Sequence, residues 1–146
     1  MKRKYLITFI NMKGSIVFLF LPFIFCSCNQ SAIEKSFSSA DSLVIYFKDE
    51  QAGIVTKTVE TTEAPALRRM IQFIDAPETE QFKCGHDGKM FFFRKGERMQ
   101  EVDFKMKNDS CRHFSFLLDG KLISTKMNNE AADFLDALEK GLPVYW

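Results

Sequence analysis

The sequence predicts an α+β domain: an antiparallel sheet of about six strands in the order ββ-α-ββββ-α, with its helices packed on one face. Three observations carry this. Short β-branched and aromatic runs recur with turn residues between them, and two segments switch to a helical period. The strands after the first helix also follow one another too closely for helical crossovers.

Each element has its own reason. "SLVIYFK" (Ser42–Lys48) and "GIVTKTV" (Gly53–Val59) flank the turn-like "DEQAG" and read as a first hairpin. In "TTEAPALRRMIQFIDAP", Leu67, Met70, Ile71 and Ile74 share one helical face; Pro65 suits the first turn and Pro77 lies beyond the end. "KMFFFR" (Lys89–Arg94) turns through "KGE" into "MQEVDFKM" (Met99–Met106), where Val102, Phe104 and Met106 alternate. "RHFSFLL" (Arg112–Leu118) meets "KLISTK" (Lys121–Lys126) across Asp119-Gly120, a strong hairpin signal. The last helix starts at an Asn128 or Asn129 cap, puts Ala131, Phe134, Leu135 and Leu138 on one face, and closes at Gly141 before Pro143. "PVYW" (Pro143–Trp146) is expected to fold back over a sheet edge.

Adjacent strand residues face opposite ways, so Phe91, Phe92 and Phe93 place aromatic rings on both sides of one strand. Either the strand is central and covered on both sides, or the triplet serves a ligand or partner. In the second case Phe92 lines an apolar pocket, or the rings form a contact patch.

The N-terminal part is of another kind. Four of the 20 bases precede Cys28 and none of the 19 acids does, so the rest of the chain is mildly acidic. That sign, without a basic stripe, excludes a general attraction for nucleic acid. A basic start, an apolar stretch from Ile16 to Phe25 and small residues at Ser27 and Cys28 have the order of an export signal, with Met1 or Met12 as the start. The apolar stretch is about half the roughly 20 residues of a membrane span and contains Pro22.

"FCSC" (Phe25–Cys28) resembles the lipobox of bacterial lipoproteins, and the layout is similar to that of small Bacteroidota lipoproteins. The resemblance implies cleavage before Cys28 and a lipid on its sulfur. Phe25 and Cys26 depart from the usual leucine and small non-thiol residue, which leaves ordinary signal cleavage open. The expected organisation is a signal peptide over 1–27, a polar, flexible tether over 28–41 and a single domain over 42–146. The lipid places the protein on the cell envelope, with the outer membrane favoured over the inner. No acidic cluster follows Cys28, so the domain is expected to face the periplasm.

That compartment governs the other two cysteines. Behind an export signal, Cys84 and Cys111 are expected to form a disulfide. The Phe hairpin, turning near Gly96, brings position 84 opposite position 109, and a bridge there is worth roughly 3–4 kcal/mol by loop entropy. The alternative comes from the spacing: Cys84-Gly85-His86 and Cys111-Arg112-His113 repeat one cysteine–x–histidine pattern. In extended backbone, Cys84, His86, Cys111 and His113 could converge on zinc or copper. Against this, His86 sits in a solvated turn composition, "GHDG". His113, out of phase with Phe114 and Phe116, is expected on the exposed side of its strand.

Catalytic patterns are sparse. "CGHDGK" lacks P-loop or dinucleotide spacing, and Ser115 and Ser124 lie in strands without an evident triad. The expected function is a non-catalytic binding or accessory role towards an envelope protein partner, without a cofactor. The runner-up is small-ligand or metal binding; a hydrolase is third.

Overall fold

The structure, a computed structural model, describes residues 30–49 and 51–145. The expected signal segment 1–27 and the expected lipidation position Cys28 lie outside them. The elements run α1 (Ala32–Phe37), β1 (Ser42–Lys48), β2 (Val55–Thr61), α2 (Ala64–Ile74), β3 (Gly88–Arg94) and β4 (Glu97–Lys105). A short 3-10 turn (Asp109–Cys111) then leads into β5 (His113–Leu118), β6 (Lys121–Lys126) and α3 (Asn129–Lys140). The strands form one antiparallel sheet in the order β2-β1-β3-β4-β5-β6, so the fold is the α+β class that the patterning predicts.

Turn chemistry sets two hairpins. Lys95 and Gly96 (φ 53° and 81°) join β3 to β4, and Asp119 and Gly120 (φ 50° and 76°) join β5 to β6. Two left-handed residues in a two-residue loop match the twist of the flanking strands. A bulge opposite Phe92 and Phe93 leaves Met99 of β4 unpaired and shifts the β3–β4 register by one residue.

The core lies on one face. Ile45, Met90, Val102, Phe116 and Ile123 form a cross-strand row, and all are buried. Over it pack Leu67, Met70, Ile71 and Ile74 of α2, with Ala131, Leu135 and Leu138 of α3. Thr125 Oγ1 donates to Ile74 O at 2.8 Å, tying the end of α2 to β6. The Asn128 side chain caps α3 at Ala131 N, and Gly141 (φ 71°) ends it. Among the described residues no helix is long and apolar enough to cross a membrane.

The expected flexible tether is a departure. Residues 32–37 form α1, which Ser31 caps by accepting from Glu34 N at 2.9 Å. Ile33 and Phe37, one helical turn apart, are both buried, and the Phe37 ring meets Phe92 and Phe116 edge-on at 4.8 and 5.5 Å. Average polarity conceals the pair, because two apolar residues at i and i+4 suffice to dock a single helical turn. The folded unit therefore begins before residue 42. At the other end, Val144 packs on the core but Tyr145 is exposed rather than folded back.

Candidate functional site

The second face of the sheet is only half covered. From α2 the chain reaches β3 by way of residues 75–87, which first run along the free edge of β6. There Lys126 N donates to Pro77 O at 3.0 Å and Thr79 N to Ser124 O at 2.9 Å. The segment then crosses the second face as a strap. Phe82 packs on the His113 ring at 5.3 Å, and Cys84 is disulfide-bonded to Cys111 with Cα atoms 6.3 Å apart.

Asp87 anchors the strap's far end. It is fully buried and accepts from Lys105 Nζ at 3.0 Å, Met106 N at 2.7 Å and Lys107 N at 2.8 Å. Burial pushes its carboxyl up, but the two amides and the ammonium outweigh it and hold the group below the ordinary carboxylate range.

Beneath the strap lies a cavity of about 320 Å³, lined by Phe82, His86, Asp103, His113, Ser115 and Ser124 among others. A polar cross-strand row, Lys89, Asp103, Ser115 and Ser124, pairs in sequence from β3 to β6, and its last three members line the cavity. Lys89 Nζ lies 3.1 Å from Asp103 Oδ1 and also bonds Glu101, whose hydrogen bond is the main cause of the raised Lys89 pKa. The same bond lowers the carboxyl of Glu101. His86 Nε2 stands 3.9 Å from Asp103 Oδ2. Burial lowers the His86 imidazole; Asp103 opposes this, and His113, Lys89 and Lys48 reinforce it. His113 is buried, with Nδ1 2.6 Å from Cys111 O. A carbonyl only accepts, so Nδ1 carries the hydrogen of this bond and Nε2 is the nitrogen left for another partner.

The other half of this face is aromatic and open. Tyr46 and Phe91 meet edge-on at 5.5 Å, and the Arg98 guanidinium lies over Phe91 at 5.4 Å. Phe93 and Val44 beside them are half-buried, while Leu117 and Leu122 are exposed at the far end of the β5–β6 hairpin.

The structure divides the predicted residues. Cys84 and Cys111 are paired as a disulfide, so their sulfurs are not the thiolate ligands of a four-residue metal set. His86 and His113 do come together, with ring centroids 6.2 Å apart. Among the described residues no three His, Cys, Asp or Glu are grouped to hold a metal ion. His113 corrects the expectation of an exposed ring: its side of the strand faces away from the core, but the strap covers it. Phe92 is core, fully buried and packed on Phe37, whereas Phe91 and Phe93 lie on the aromatic half of the other face.

Sequence reasoning missed Asp103, Phe82 and the meeting of Ser115 with Ser124 in one cavity. The Asp119-Gly120 turn alone implies that Ser115 faces Ser124, whereas the crossing of the strap has no periodic signal. Ser124 Oγ is buried without a hydrogen-bond partner, so no imidazole activates it as a nucleophile. Comparison with known protein families, characterised proteins and solved structures returns no match, so neither fold nor cavity comes with an inherited function.

Proposed function

We propose that this protein is a lipid-anchored component of a bacterial cell envelope. Its disulfide-stapled domain faces the periplasm and binds a protein partner without catalysis. The observation that carries the binding role is the open half of the second sheet face. Tyr46, Phe91 and Phe93 lie there with Arg98, and aromatic residues and arginine are the types that dominate protein contacts. The anchor rests on the "FCSC" sequence.

Site-specific cross-linking in intact envelopes tests the binding role. A benzophenone side chain at Tyr46 gives a discrete adduct, whereas one at Gln72, exposed on α2, gives none. Adducts from Gln72 alone, or equally from both positions, would refute it. Incorporation of labelled palmitate, lost in Cys28→Ser, tests the anchor; a wild-type chain that takes up no label refutes it.

The cavity favours a second reading, small-ligand binding, because it brings two imidazoles, a carboxylate and two hydroxyls together under a covalently fastened strap.

A further inference from the structure

Ser124 is 4% exposed, and its hydroxyl has no hydrogen-bond partner although it lines a cavity. Buried polar groups are normally satisfied, so a lone buried hydroxyl beside empty space marks a position for a bound polar atom. Nearby, His113 Nδ1 donates to Cys111 O, which leaves Nε2 as the ring nitrogen turned to other partners. Asp103 adds carboxylate acceptors.

The charges narrow what this arrangement can take. Lys89 stands 3.1 Å from Asp103 Oδ1, so an entering metal or ammonium ion would meet an ammonium already in place. Lys83 and Asp103 are the lysine and the carboxylate in the lining, opposite in sign, so an entering anion finds no net charge to hold it. His86 is held towards its neutral form by burial and adds no fixed charge. Phe82 and Leu122 give the cavity an apolar flank beside its hydroxyl row. Its volume, about 320 Å³, is at the small end of ligand pockets and suits a single ring.

We infer that the cavity under the strap binds a small uncharged polyhydroxylated ligand, a sugar residue, whose hydroxyls reach Ser124, His113 and Asp103 while its apolar face lies against Phe82 and Leu122. This rests on the second reading above and does not require a protein partner at the aromatic half.

The test is a titration of the full chain in detergent micelles, followed by NMR. The probes are glucose, galactose, mannose and N-acetylglucosamine, each to about 50 mM, enough to saturate a millimolar site. At least one gives saturable shifts at Ser124 and His113. Ser124→Ala weakens that binding by about tenfold or more. Since Ser124 Oγ bonds nothing in the protein, the substitution leaves the melting temperature unchanged. Three results would overturn the inference: no saturable shift with any of the four sugars, shifts that persist undiminished in Ser124→Ala, or saturation of the cavity by zinc ion alone. Failure of the Tyr46 cross-link would leave this result untouched, and the converse also holds.

Discussion

Removing the carboxylate of Asp87 tests the device that closes the site. Asp87 and Lys105 are fully and almost fully buried, and the carboxylate also receives the Met106 and Lys107 amides. Asp87→Ala therefore removes one buried partner of the Lys105 ammonium and leaves two amide donors without this acceptor. Breaking a buried pair in this way costs about 3–5 kcal/mol. With urea slopes of about 1–3 kcal/mol per molar, the unfolding midpoint falls by roughly 1–5 M.

Asp87 also makes stability depend on pH, with a definite sign. Its folded pKa lies below the unfolded one, so its contribution is complete above the ordinary carboxylate range and disappears as pH falls through the folded value. The urea midpoint of the wild type should drop below about pH 4, and Asp87→Asn should flatten that part of the curve. The assay is equilibrium urea unfolding followed by circular dichroism, at neutral pH and through the acid range. A single-variant loss under about 1 kcal/mol would refute the reasoning, since only a hydrated pair is worth so little.

Three further outcomes follow from the packing. Reducing the Cys84–Cys111 bridge, which spans a sequence separation of 27, lowers stability by about 3–4 kcal/mol. It also speeds amide exchange over residues 81–87, read by hydrogen-exchange mass spectrometry. Phe37→Ala costs about 3–5 kcal/mol in urea unfolding, and a cost near zero would restore residues 32–37 to a loose tether. Gly88→Ala is destabilising by about 1–3 kcal/mol or more in the same assay, because an added Cβ would collide with the Phe104 ring and the Tyr46 carbonyl.

The order of side chains along the chain determined the sheet and two of its helices. Alternation in Ser42–Lys48 and at Val102, Phe104 and Met106, the Asp119-Gly120 turn and the apolar face of α2 are local patterns that act within a few residues. They were legible because strand and helix periods are properties of neighbouring positions. The pairing of Cys84 with Cys111 was legible too, since a hairpin register carries one strand's neighbours to the other's. Tertiary structure alone decided how the second face is used. Residues 75–87 are polar and without period, and their course over β6 is set by backbone hydrogen bonds to that strand, the disulfide and the burial of Asp87. That crossing buries His113, which its strand phase puts on the outer face, and closes Ser124 and Asp103 into one cavity. In the same way α1 exists because Ile33 and Phe37 find the core, not because its six residues would hold a helix alone. Each of these features depends on contacts between distant parts of the chain, which no window of neighbouring residues contains.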